Sequence, residues 1–313
     1  MSARAETWLD FSDLRGWDDD AHDAALAVWL RSNPPDLART LAAPSPEDGP
    51  AVARRWWQER FRPVLVGDPA RARLTAYYEP VIPASDVPTA RFTAPLLALP
   101  PESAWREPMP DRAAIVAGAF AGFGLELFWL EDAVELYFLQ IQGSGRLKLP
   151  DGRLVRIGYA GRNGHDYASI GRIMMAEGHM PEGGASAGRI KKWLRADPDR
   201  GARMMARNPS YVFFREIANL RDDEGPIGAM GLPLSAHRSL AIDTRHHPFG
   251  SAIWVEANGL TPRLMVAMDR GTAIRGPQRG DIFFGTGEAA GNEAGRVSAR
   301  GRLLRLVPVE SDA

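Results

Sequence analysis

The chain of 313 residues contains no cysteine, which excludes disulfides, thiolate catalysis and cysteine-ligated metals and fits either redox compartment. It has almost no net charge, −1 at neutral pH, so no long-range field draws it to nucleic acid or to an anionic membrane. No apolar run approaches the roughly 18 residues of a membrane-spanning helix. The first residues, MSARAETWLDFSDLRGWDDD, lack the apolar core of a signal peptide, and the sequence alone favours neither cytosol nor export. Familiar catalytic signatures are missing too. In GTGEAAG the glycines fall at 285, 287 and 291, one residue too widely spaced for a dinucleotide loop. Ser144 lacks the glycines two residues to either side that a nucleophile elbow needs. His22, His165, His179, His237, His246 and His247 are scattered without metal-ligand spacing, so neither a metal nor another cofactor is expected.

What is present is an ordinary globular composition, 45% hydrophobic and 25% charged, in a chain long enough for about two domains. Leu26, Trp29 and Leu30 fall at helix spacing, and Asn33-Pro34-Pro35 stops that helix. Residues 36–50 read as a loop. Val52, Trp56, Trp57 and Phe61 predict a second helix that Pro63 ends. VLVG, RLTAYYEPV and ELYFLQIQ read as strands, and RLKLPDGRLVRIGYAG as a hairpin turning at Pro150-Asp151-Gly152. Three helices follow, the first capped by Asp166, the second by Ser186, and the third, around Met204, ending before Asn208-Pro209; Asp111 caps an earlier one. SAIWVEA and RLMVAMD flank an Asn258-Gly259 turn, then DIFFG and RLLRLVPV complete a run of strands that suggests a closed barrel.

Three groups of residues carry candidate chemistry. The segment MDRGTAIRGPQRGDIFFGTG places Asp269 and Asp281 at the two ends of a glycine- and arginine-rich loop. Either both acids are solvated, or one is held where its proton is usable. Asp281 precedes the apolar run Ile282-Phe283-Phe284, and partial desolvation there would raise its pKa from about 3.9, as a proton donor requires. Tyr77, Tyr78 and Glu79 combine rings with polar groups, as a sugar-binding surface does, although a tyrosine facing inward would be core. Ser144, flanked by Gly143 and Gly145, is either a loop facing a polar ligand or a simple hairpin element.

In this order, LTAYYEPV, LQIQGSG, GYAGRNGHDYASIGRIM, NPSYVFFRE and MDRGTAIRGPQRGDIFFGTG resemble the membrane-bound lytic murein transglycosylase A family, over about residues 74–309. The resemblance implies a mainly β fold with flanking helices. A helical N-terminal segment and a double-psi β-barrel would occupy residues 1–80 and 214–313. An inserted, β-rich glycan-binding domain would occupy 81–213, with a groove between the two. It implies cleavage of the β-1,4 bond between N-acetylmuramic acid and N-acetylglucosamine in peptidoglycan, leaving 1,6-anhydromuramoyl ends. Because the muramoyl C6 hydroxyl is the nucleophile, one acid suffices where a hydrolase needs two. That acid falls on Asp281, with Asp269 in support. Tyr77, Tyr78, Glu79, Gln142, Gly143, Ser144, Gly145, Tyr159, Asn163, Asp243, Gly271 and Thr272 fall on glycan-contacting positions, although the segment Tyr159–Gly164 reads equally as the lead into a helix. The partners implied are glycan strands and cell-wall synthesis or division complexes, with the chain a monomer in the periplasm or at the outer membrane. A two-carboxylate hydrolase and a non-catalytic, expansin-like glycan binder are the alternatives.

Overall fold

A computed structural model describes residues 6–105, 107–181, 184 and 186–309. The chain divides into two compact units, Met1–Tyr78 with Asp222–Ala313, and Glu79–Arg221. The architecture is mixed α/β, with one β-sheet in each unit.

The first unit opens with strand β1 (Glu6–Trp8), then helices α1 (His22–Ser32), α2 (Pro35–Thr40) and α3 (Pro50–Arg60). α1 ends at Asn33 as the Asn-Pro-Pro signal predicts. Within the expected loop 36–50, α2 forms because Pro35 sits at its first turn, where a missing N–H costs nothing. α3 stops at Arg60, short of Pro63, and Phe61 instead begins β2 (Phe61–Val66), followed by β3 (Arg73–Glu79). The helices bury an aromatic cluster in which Trp29 meets Trp57 and Phe61 edge-on, at 5.7 and 5.9 Å between ring centroids. Each such ring contributes about 1.5–3 kcal/mol through the apolar area it buries.

The second unit holds β4 (Val81–Ser85), β5 (Ala94–Leu97), α4 (Arg112–Val116), β6 (Glu126–Leu130), α5 (Ala133–Gln142), β7 (Ser144–Lys148) and β8 (Leu154–Arg162). α6 (Ile170–Ala176), α7 (Ala187–Ala196), α8 (Pro198–Ala206) and β9 (Val212–Glu216) complete it. Its strand order is β5-β6-β4-β7-β8-β9. The hairpin β7–β8 forms as expected, with Arg146 opposite Arg156 and Gly152 in the left-handed conformation of the turn. ELYFLQIQ, expected as a strand, belongs to helix α5. Asp132 caps it by accepting the Glu135 N–H at 2.7 Å, and Leu136, Leu139 and Gln140 fall at helix spacing on its buried side. This helix gives the unit a larger helical share than a mainly β fold would have. α6 is capped by Ser169, not Asp166, so it starts a turn later than expected. β9 pairs along β8, which keeps the chain in this unit to Arg221, beyond the expected return at 214.

Back in the first unit come β10 (Ser239–Ala241), β11 (Ala252–Ala257), β12 (Arg263–Asp269), β13 (Arg279–Thr286), α9 (Gly287–Ala294), β14 (Ser298–Ala299) and β15 (Gly301–Pro308). The sheet order is β1-β2-β15-β11-β12-β10-β13-β3-β14. β10 and β12 run parallel; the other registered pairs of this sheet are antiparallel. Alternation along each strand splits its apolar residues between two cores. Trp254, Leu264, Val266, Met268 and Phe283 pack with the aromatic cluster of α1 and α3. Val255, Met265, Ala267, Ile282 and Phe284 form the other core. A bidentate ion pair, Arg238 Nη1 and Nη2 to Asp20 at 2.7 and 2.8 Å, ties the N-terminal segment to this sheet. Asp20 also accepts the Leu264 N–H.

Candidate active site

Asp281 and Asp269 meet on one face of this sheet because of a single irregularity. Strict alternation on β12 would send Asp269 to the side of Met265 and Ala267. Instead the β10–β12 register steps from Leu240–Ala267 to Ala241–Asp269, skipping Met268. This β-bulge turns Asp269 onto the face of Met268 and Phe283. On the other side of β10, Ala241 pairs with Asp281. Asp269, Ala241 and Asp281 therefore form a row across three adjacent strands. The small Ala241 between the acids leaves no bulk separating the carboxylates.

β3 completes the row. Thr75 and Tyr77, two residues apart, point to the same face. The Thr75 hydroxyl donates to Asp281 Oδ1. The Tyr77 hydroxyl donates to Asp269 Oδ2 at 2.8 Å, and the Tyr77 ring lies 5.4 Å from that of Phe283. Asp269 Oδ1 also accepts the backbone N–H groups of Ala229 and Arg270, each at 2.9 Å.

The two carboxyls are electrostatically unequal. Burial raises the pKa of Asp281 above the ordinary carboxylate value. The Thr75 hydroxyl and Arg279 oppose that rise, the Asp269 charge adds to it, and Arg73 opposes it. Burial also raises Asp269, against the Ala229 N–H, the Tyr77 hydroxyl and the Arg270 N–H. Three donors favour the ionised form of Asp269, whereas one hydroxyl serves Asp281. Hydrogen bonding therefore supports the ionised form more strongly at Asp269 than at Asp281. Burial and the Asp269 charge hold the Tyr77 phenol well above its usual pKa, so it remains a donor. Among the described residues Asp281 Oδ2 has no hydrogen-bond partner, which leaves one oxygen for a proton in transit. The arrangement can deliver a proton and take one back.

The other expected residues have diverse places. Tyr78 points away from Tyr77, into the other core, with its ring against Gly291. Glu79 is buried and accepts from Arg146 Nε at 2.8 Å, so its carboxylate serves an internal ion pair and not a sugar. Asn163 is also interior. It donates to the carbonyls of Pro110 and Pro209 and accepts the Tyr211 N–H, which uses the whole amide in joining three segments. Asp243 is buried and bound to Arg245 and to the Gly276 N–H; these donors hold it far below the usual carboxylate range and make it an anchor for the loop before β13. Gly143 caps α5 in the left-handed conformation, and Gly145 is buried where a Cβ would meet Leu139 and Pro80. Gln142 and Ser144 are partly exposed, and Tyr159, Gly271 and Thr272 are exposed. Thr75 was not anticipated, though a strand through RLTAYYEPV already places it on the face of Tyr77. Among the described residues no group of three or more histidines and carboxylates could hold a metal ion.

A sheet that sets two buried aspartates side by side, one with a single hydrogen-bond donor and one with three, defines a site suited to general acid–base chemistry. Residues 73–215 match the model of the MltA specific insert domain, and residues 238–307 that of the 3D domain. A membrane-bound lytic murein transglycosylase A of Vibrio cholerae is 32% identical over 245 residues, covering 74% of this chain and 64% of that protein. The chain thus spans a little under two thirds of the length of the curated relatives it matches. The solved membrane-bound lytic murein transglycosylase from Agrobacterium tumefaciens is 32% identical, with a TM-score of 0.84 over 97% of this chain and 98% of that one. The structure of Escherichia coli MltA with bound chitohexaose is 27% identical, with a TM-score of 0.78 over 95% and 91%. The chain belongs to the membrane-bound lytic murein transglycosylase A family.

Proposed function

We propose that this chain is a lytic transglycosylase. It cleaves the β-1,4 bond between N-acetylmuramic acid and N-acetylglucosamine in peptidoglycan and leaves a 1,6-anhydromuramoyl end. Asp281 gives its proton to the glycosidic oxygen as the bond to C1 breaks. It then accepts the proton of the muramoyl C6 hydroxyl as that oxygen closes onto C1, so no water is consumed and the acid is regenerated. Asp269 stays ionised, raises the pKa of Asp281 and favours the positive charge that develops on the sugar. The observation that carries this reading is the asymmetry of the row: one carboxyl with a spare oxygen and a single donor, beside one engaged by three donors. A two-carboxylate hydrolase would need Asp269 free to activate water, and its three donors argue against that. The names of the relatives and the chitohexaose held by one of them support a glycan substrate.

The parallel β10–β12 pair among registered pairs that are otherwise antiparallel, with an apolar core against one face, supports the double-psi barrel that the family resemblance implies. The first unit would then carry catalysis and the second would bind glycan. Tyr159, Gln142, Ser144, Gly271 and Thr272 remain the exposed candidates for glycan contact. Among the described residues no helix is long and apolar enough to cross a membrane. We place the protein in the periplasm or at the outer membrane on its family alone. The test is Asp281→Asn, assayed on purified sacculi. Turnover should fall by at least about a hundredfold, the usual worth of a positioned acid–base group, while chitooligosaccharide binding persists. Ordinary turnover by this variant would overturn the assignment, and wild-type protein that binds sacculi without solubilising them would identify an expansin-like binder.

A further inference from the structure

On the face of the sheet opposite the aspartates, the first unit contains a cavity of about 220 Å³. Its floor is apolar, formed by Val255, Met265, Ile282 and Phe284. Its rim carries Thr261 and three ionisable side chains from separate segments: His237 before β10, Arg263 at the start of β12 and Glu293 on α9.

Three features set this rim apart. First, Arg263 lies directly opposite Val255 and alternates with Met265 and Ala267, so a cation continues an otherwise apolar row. Second, among the described residues His237, Arg263 and Glu293 form no hydrogen bond or ion pair through their side chains. Yet Arg263 and Glu293 stand near enough to act in opposite senses on the His237 imidazole. Third, His237 has φ of 57°, in the left-handed region that L side chains seldom adopt. It is held there by its N–H, which donates to the Phe283 carbonyl at 2.7 Å, and by its ring, edge-on to Phe284 at 4.5 Å. The strained residue is thus fixed by the same strand that makes the floor.

A separate cation and anion over an apolar floor match a ligand with the same three parts. The space equals about seven water volumes, which admits a molecule of leucine size. We propose that this cavity binds a free amino acid with an aliphatic side chain. Its carboxylate meets Arg263, its ammonium meets Glu293, and its side chain lies on Val255, Met265, Ile282 and Phe284. This site is independent of the one at Asp281 and does not rest on the transglycosylase reading.

Amide NMR titration of the whole chain tests it with three probes: leucine, isocaproate (the carboxylate alone) and isoamylamine (the ammonium alone). Leucine should shift the amides of His237, Gly259 and Phe284 saturably, with Kd on the order of 1–10 mM for so small a ligand. Isocaproate and isoamylamine should each bind about tenfold more weakly. Arg263→Gln should weaken leucine and isocaproate by about tenfold and leave isoamylamine unchanged; Glu293→Gln should do the reverse for the amine. Both positions reach the surface, and an unaltered Tm would confirm that each variant folds. No saturable shift at those amides, equal affinity for all three probes, or unchanged leucine affinity in both variants would each overturn the proposal.

Discussion

If Asp281 is an acid held against its own ionisation, replacing it should stabilise the protein. Asp281→Asn keeps an oxygen to accept the Thr75 hydroxyl and removes only the titrating charge. Asp269 and Asp281 lie two strand spacings apart across Ala241, about 9.5 Å between backbones. At an effective dielectric constant of about 20, two charges at that separation repel by on the order of 1–2 kcal/mol, and burial of Asp281 adds to this. Because the folded-state pKa of Asp281 is raised, the wild-type carboxyl contributes most favourably below its unfolded value of about 3.9. That contribution is lost as pH rises through the folded value. The asparagine loses nothing over that range. At pH 7 the variant should unfold in calorimetry at a Tm about 2–8 °C above wild type, and the gain should vanish near pH 3. A variant less stable than wild type at pH 7, or a gain that persists unchanged at pH 3, would refute the reasoning.

Asp269→Asn removes the negative neighbour that helps raise Asp281, so the alkaline limb of the pH–rate profile on sacculi should move to lower pH; an unmoved limb would mean that the two acids do not interact. Tyr77→Phe deletes one of three donors to Asp269 and should destabilise the first unit by about 1–3 kcal/mol in urea titration. Asn163→Ala removes the amide that donates to the Pro110 and Pro209 carbonyls and leaves the buried Tyr211 N–H without its acceptor, and should destabilise the second unit by about 2–3 kcal/mol. A stable variant with weakened glycan binding would restore Asn163 to the ligand-contacting set. Glu79→Gln removes the charge of the buried carboxylate paired with Arg146 and should lower stability by about 3–5 kcal/mol, measured the same way.

Local signals carried much of the fold. Asn33-Pro34-Pro35 ended α1, Pro150-Asp151-Gly152 turned β7 into β8, and Asn258-Gly259 joined β11 to β12. Where the pattern was continuous, the reading failed. ELYFLQIQ holds the unbroken apolar run Leu136-Tyr137-Phe138-Leu139, so its period is ambiguous, and the decisive cue was the Asp132 cap just before it. At the site, the two aspartates and the strand through Thr75 and Tyr77 could be read directly. The bulge at Met268 could not, because it exists only in the register between β10 and β12, and without it Asp269 would face the wrong side. The polar residues given too large a role share one cause. Glu79 finds Arg146, and Asn163 finds Tyr211, 67 and 48 residues away in the chain, and a single sequence does not separate such internal partners from ligand contacts.

The central claim is that the substrate supplies its own nucleophile while Asp281 alone moves the proton. Digesting sacculi with the wild-type protein in heavy-oxygen water and weighing the released muropeptides by mass spectrometry tests it most directly. The account predicts anhydromuramoyl ends that carry no label. Reducing ends carrying the heavy oxygen would contradict it.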